Sequence, residues 1–205
     1  MRYGYFMNVL SISDIVVPEL TGYFDKVPFA GTDLVLSCGD LPPEYLSGIA
    51  QRLDVPLFYI RGNHDIRYRT TPPRGCTNVH MRLERHSGIR FVGFEGSRWY
   101  NGGPIQYREA QMRGFTRQLW PKLLWNRGVD VIMTHAPPRH IHDAEDRCHR
   151  GFKTFRTLIA KYQPHYLIHG HVHRSFTNAA ERITRQGETK IVNTCGYWQF
   201  TIDSA

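Results

Sequence analysis

Five short apolar runs in this chain each lead into a side chain that can bind a proton or a cation. "NVLSIS" (residues 8–13) leads to Asp14, "DLVLSCGD" (33–40) ends at Asp40, and "PLFYIRGNHD" (56–65) ends in Asn63, His64 and Asp65. "VDVIMTHAPP" (129–138) carries His135 near its end, and "PHYLIHGHVH" (164–173) closes on His169, His171 and His173. Runs of this length read as buried strands. The intervening "PPEYLSGIAQRL" (42–53) and "GFKTFRTLIAKYQ" (151–163) have helical spacing, the first opened by proline. "YREAQMRGFTRQLWPKLLWNR" (107–127) predicts a helix bent or broken near Pro121. "MRLERH" and "IRFVGFEG", joined at Ser87-Gly88, predict a hairpin, and residues 181–203 predict antiparallel strands around Gly187. The sum is an α/β (α+β) fold, with two mixed β-sheets packed as a sandwich and helices on the outer faces.

In open α/β sheets the carboxyl ends of the strands line the ligand crevice. Five strand ends therefore deliver Asp14, Asp40, Asn63, His135, His171 and His173 to one rim. Oxygen and imidazole donors without thiolate suit Mn, Fe, Zn or Ni. Each residue taken alone has a plainer reading. Asp40 can cap the helix that starts at Pro42, Asn63 can be a turn residue after Gly62, His135 can satisfy a loop carbonyl, and Asp14 can cap the segment after it. The conjunction carries the metal reading.

Composition bounds the rest. At 205 residues the chain can bury roughly 70% of its unfolded surface without staples. No run approaches a membrane span, and the first residues lack the uniform apolar core of a signal peptide, so a cytoplasmic protein with no membrane partner is expected. Cys38, Cys76, Cys148 and Cys195 are scattered without a C-x-x-C pair, which argues for packed, reduced thiols. The net charge of +8 favours anionic partners: a phosphorylated small molecule or, less favoured, nucleic acid. Trp99, Tyr100, Trp120 and Trp125 read as core or interface rather than a base-stacking platform.

The succession "SISD", "CGD", "RGNHD", "THAPP" and "HGHVH" resembles the calcineurin-like metallophosphoesterase superfamily, whose motifs come in this order. The resemblance spans Ser11 to His173 and implies one metallophosphoesterase domain over 1–205, in four αββα layers. It also implies two divalent metal ions, with manganese among the candidates. Asp40 would bridge them. Asn63, His135 and His171 would complete one, and Asp14 and His173 the other, leaving His169 structural. The implied activity is phosphatase or phosphodiesterase hydrolysis of a phosphate ester by a metal-bound hydroxide. His64, held by Asp65, would assist the leaving group, although Asp65 could instead pair with Arg61 or Arg67.

One departure is plain. Val16 stands where the family pattern has a histidine two residues after the aspartate. The second metal is therefore expected to bind weakly, unless a residue such as Glu19 substitutes. Arg98, His142 and His149 are candidate substrate contacts, the last two from a histidine-rich loop over 140–152 that reads as a lid or as a solvated loop. Two further readings stay open: a non-catalytic metal-binding scaffold with a protein partner, and a nuclease. A homo-oligomer fits any of them.

Overall fold

The computed structural model describes residues 6–21, 27–174 and 176–203. In the first half of the chain the strands are β1 (Phe6–Ser13), β2 (Leu34–Ser37), β3 (Leu57–Tyr59), β4 (Thr77–Asn78), β5 (Leu83–His86) and β6 (Ile89–Phe94), with helix α1 (Pro43–Leu53) between β2 and β3. A two-stranded ribbon of β7 (Ser97–Arg98) and β8 (Gln106–Tyr107) comes next. Then come α2 (Glu109–Trp125), β9 (Val131–Thr134), α3 (Lys153–Tyr162) and β10 (Tyr166–His169), and the last strands are β11 (Ile183–Gln186), β12 (Thr189–Asn193) and β13 (Gly196–Asp203).

One sheet has the order β13-β1-β2-β3-β4 and the other β11-β12-β10-β9-β6-β5. Central neighbours run parallel, from β1 through β2, β3 and β4 and across β6, β9, β10 and β12. The edge pairs β1–β13, β5–β6 and β11–β12 are antiparallel.

Strand alternation sorts the core into layers. Val9, Leu34, Leu36, Val131, Met133 and Ile168 meet between the sheets. Leu10, Ile12 and Val35 face the other way, onto Leu46, Ile49 and Ala50 of α1. Ile132 and Leu167 face Met112, Leu119 and Leu123 of α2 and Phe155, Leu158 and Ile159 of α3. Each such aliphatic or aromatic side chain contributes roughly 1.5–3 kcal/mol on burial, and the three clusters together fix the strand ends in register.

The helices start and stop for identifiable reasons. Pro43 sits in the first turn of α1, and Asp54 closes that helix in a left-handed conformation at φ 55°. The α3 N-terminus is capped from outside: Glu109 accepts hydrogen bonds from Lys153 N and Thr154 N at 3.1 and 2.7 Å, placing a carboxylate at the positive end of the helix. The break expected near Pro121 does not form, and α2 runs unbroken through it. Pro121, which removes the helical donor to the Arg117 carbonyl, lies with Arg117 on the exposed side of the helix.

Candidate metal centre

Parallel β1, β2 and β3 end side by side, as do β9 and β10 in the facing sheet, so the polar residues after them meet across the rim. Asp40 Oδ2 lies 3.3 Å from His135 Nε2, and Asn63 Oδ1 lies 3.1 Å from the same nitrogen. The His135 and His171 rings are 4.8 Å apart. One ligand atom each from Asp40, His135 and His171 lies within 4.8 Å of the others. His135, His171 and Asn63 are all buried.

Main-chain groups orient these side chains. His135 Nδ1–H donates to the Cys38 carbonyl at 2.7 Å, leaving Nε2 to face Asp40 and Asn63. His171 Nε2–H donates to the Cys148 carbonyl at 2.8 Å, leaving Nδ1 unengaged. A carbonyl can only accept, so each bond sets the tautomer, as outer partners of metal-binding histidines do. Asp40 Oδ1 accepts from His64 N at 2.9 Å. Close approach of these loops requires glycine: a Cβ on Gly62 would sit 2.0 Å from Asp40 Oδ1, and one on Gly170 2.5 Å from Asp14 Oδ2. Asp14, Asp40 and His171 themselves adopt φ of 63°, 57° and 68°, the left-handed region that side-chain-bearing residues avoid.

The charged groups of the cluster shift one another strongly. Burial works against the Asp40 carboxylate, yet His135 beside it and the His64 N–H hold its pKa well below the ordinary carboxylate range. Burial equally opposes a charged His135, but Asp40 outweighs it and raises the imidazole to about 9. His171 is pushed down to about 3 by burial and then by His135. Asp40, His135 and His171, with the Asn63 oxygen beside them, are the residues that could hold a divalent cation.

Asp14 and His173 form a looser pair. Asp14 accepts from His171 N at 2.9 and 3.1 Å and is buried at its carboxylate. His173 Nε2 lies 3.6 Å from Asp14 Oδ1, with its side chain 64% exposed. Val16 is exposed, as is Glu19 in the short turn at Pro18–Leu20.

Several expectations need correction. Asp65 does not hold His64: its Oδ2 accepts from Asp40 N and Gly62 N at 2.8 and 2.7 Å, tying two loops together. Burial and the nearby Asp40 charge raise its pKa to about 6. The alternative pairings also fail, because Arg61 binds Glu95 and Arg67 binds Glu44. Asp40 does not cap α1, whose first turn has no side-chain cap. Arg98 is not a free anion clamp; it pairs with Glu109 at 3.0 Å and lies over the Phe152 ring. His142 is wedged between His169 Nε2 at 2.9 Å and Thr184 Oγ1 at 2.8 Å. Burial, then Arg174, lowers its pKa to about 4, and both ring nitrogens are engaged in tying the loop to β10 and β11. His149, 41% exposed and stacked 5.2 Å from His171, stays at the rim. His169 is fully buried, its Nδ1 3.0 Å from the Gly170 carbonyl oxygen.

Tyr100 is the residue that sequence reasoning missed. Asn63 Nδ2 donates to its hydroxyl at 3.2 Å, which turns the Asn63 oxygen toward His135. Cys148, whose carbonyl orients His171, is near enough to the same hydroxyl to raise its pKa, after burial. The only sequence signal is an aromatic in the glycine-flanked "EGSRWYNGG".

His64 is exposed and lines a cavity of about 240 Å³ with Asp40, Pro42, Pro43, Arg67 and Tyr68. A larger open cleft of about 790 Å³ lies between α1 and the Arg74–Gly75 turn, away from every converging residue.

A family model described as calcineurin-like phosphoesterase matches residues 7–175. Among solved structures, TT1561 of Thermus thermophilus is similar with a TM-score of 0.64 at 15% identity, covering 94% of this chain and 90% of that one. A Staphylococcus aureus protein provisionally named a 5'-nucleotidase, in complex with alpha-ketoglutarate, gives 0.58 at 14% identity over 96% of this chain and 51% of that one. GAP50 of Plasmodium, described as the anchor in the inner membrane complex, gives 0.52 at 10% identity over 92% and 71%. At these identities the likeness shows the fold. No curated protein sequence matches the chain.

Proposed function

The chain belongs to the calcineurin-like phosphoesterase family, and from that premise we propose that it hydrolyses a phosphate ester at a centre for two divalent cations, with His64 assisting the leaving group. The observation that supports this most is the convergence of Asp40, Asn63, His135 and His171, two of them oriented by main-chain carbonyls. Divalent cations held there would neutralise phosphoryl charge and lower the pKa of water.

The chain's own residues do the rest. Asp40 supplies the carboxylate that would be shared by both cation positions, with Asp14, which accepts from His171 N, and His173 on the second. The exposed His64 imidazole, at the mouth of the 240 Å³ cavity, gives its proton to the departing oxygen. Its main chain is fixed by the His64 N–H bond to Asp40. The leaving group occupies that cavity, between the two prolines and Arg67. His149 is placed to contact substrate beside His171. We read all 205 residues as one domain, because β12 and β13, beyond the matched region, pair with β10 and β1.

The test is hydrolysis of nitrophenyl phosphate mono- and diesters by the purified protein with added Mn²⁺. Activity lost in Asp40→Asn and strongly lowered in His64→Ala supports the reading, whereas full activity in both variants overturns it. The exposed His173 and Val16 favour a second reading, a scaffold of the same fold holding one cation and a protein partner. Bound metal together with inactivity across a broad substrate panel selects that reading.

A further inference from the structure

The positive charge of this protein is distributed unevenly. The layer formed by α2 and α3 exposes Arg113, Arg117 and Lys122 on the first helix and Lys153, Arg156 and Lys161 on the second, with Arg127 just past the end of α2. None of these side chains has a carboxylate partner among the described residues. The one acid on the two helices, Glu109, is occupied by Arg98 and by the start of α3. On the opposite face, α1 mixes Glu44 and Arg52, and Asp54 closes it.

The same basic layer carries three exposed large apolar side chains, among them the most exposed tryptophan. Trp120, Leu124 and Trp125 are 46%, 63% and 89% exposed and fall within six residues on the last turns of α2. Lys161 Nζ lies 5.3 Å from the Trp120 ring, so a cation and an indole share one spot on the surface. Indole and leucine flanked by lysine and arginine match the interfacial zone of a bilayer, where the rings sit at headgroup depth and the cations meet lipid phosphate.

We propose that the α2–α3 layer docks this protein on an anionic lipid surface. A second copy is a poor occupant, because two-fold contact would press unpaired cations against one another. Nucleic acid would match the charge, but Leu124 offers no plane for a base to stack on. No described helix is long and apolar enough to cross a membrane, and none is needed. A peripheral face requires only an apolar tip and surrounding charge, so the expectation of no membrane partner is revised to no spanning segment. Docking by this outer layer leaves the strand-end rim, with His64 and the metal centre, open at the edge of the sandwich.

The test uses the full chain with vesicles of phosphatidylcholine alone or mixed with phosphatidylglycerol, at moderate salt. Expected are co-sedimentation with the mixed vesicles only, a blue shift of tryptophan emission, and quenching by brominated lipid. Arg113→Glu/Arg117→Glu/Lys122→Glu should weaken binding on the order of 10²-fold. Trp120→Ser/Leu124→Ser/Trp125→Ser should weaken it at least about tenfold and abolish the quenching. Both sets are on the surface, so circular dichroism matching the parent is the control. Quenching of the unmodified protein supplies a readout that needs no variant. Equal binding to neutral vesicles, no binding to either kind, or binding untouched by the aromatic substitutions each overturns the proposal. A dimer dissolved by the aromatic substitutions, or retention on single-stranded nucleic acid without vesicle binding, assigns the face to another partner and overturns it as well.

Discussion

The two halves of the metal centre are built differently although the same rim supplies both. Around His135, every donor is buried and its orientation is set by a further group: Cys38 for His135, Cys148 for His171, Tyr100 for Asn63 and the His64 N–H for Asp40. Around Asp14, the carboxylate is fixed by the His171 N–H, but His173 is mostly in solvent and Val16 brings no donor. Both halves lie in the loops after the strands, but the first is covered there, so packing fixes its side chains. The second has a histidine that must order itself on binding. Preorganised donors lose less entropy when they bind, so the first half is expected to bind its cation tightly and the second to exchange it.

The harshest way to break this contrast is to remove the group between the halves. Asp40→Asn should lower turnover on the order of 10³-fold or more, since it weakens both cations at once. Turnover within tenfold of the parent would show that the halves do not share Asp40. Tyr100→Phe tests whether outer bonds give the built half its strength. Freed to rotate, the Asn63 amide can present nitrogen, and affinity for the first cation should fall about 10- to 100-fold by calorimetric titration, with circular dichroism unchanged. Unchanged affinity would mean the phenol is only packing. Val16→His works in the opposite direction. A fourth protein donor on the thin half should raise affinity for the second cation about tenfold, read as two equivalents retained after dialysis where the parent keeps one.

The smallest effect expected is an acid sensitivity of the built half. His142 has a folded pKa of about 4, below its usual 6.5, because burial and Arg174 disfavour its charge. The unfolded chain thus takes up the proton first as pH falls. The stabilising contribution is complete above pH 6.5, declines between 6.5 and 4, and by pH 5 has dropped by at most about 2 kcal/mol. Urea midpoints at pH 7 and pH 5 measure the decline, and His142→Gln should shrink it. An equal decline in the variant would place the acid-sensitive group elsewhere. Because His142 pins the loop that carries Cys148, the cation seated on His171 should be released before the fold melts.

Much of this contrast is legible in the sequence. Apolar runs ending in Asp, Asn and His announce both the strands and the rim, because burial pattern and polar termini are properties of local sequence. Val16 announces the thin half only through the family resemblance, whose pattern has histidine at that position. The Cys38 and Cys148 carbonyls that set the histidine tautomers are invisible there, since every residue has a carbonyl and only the fold chooses which ones matter. Asp65 invites pairing with its neighbour His64, but a buried carboxylate beside two main-chain N–H groups satisfies those first. Arg98 and Glu109, and likewise His142 and His169, are partners brought together by folding over 11 and 27 positions, and nothing in their own segments marks the match. Pro121 misleads in another way, because a helix can run through proline on its exposed side, where α2 carries both Pro121 and Arg117.

Left-handed backbone at Asp14, Asp40 and His171 has a consequence for engineering. By conformation alone glycine is the favoured residue at all three, by roughly 1 kcal/mol each. Glycine at 14 or 40 would also strip the carboxylate that accepts from His171 N or His64 N, so the conformational gain is offset by a main-chain N–H left unpaired. Libraries aimed at hardening this protein should hold those three positions fixed and look for gains on the outer helices instead.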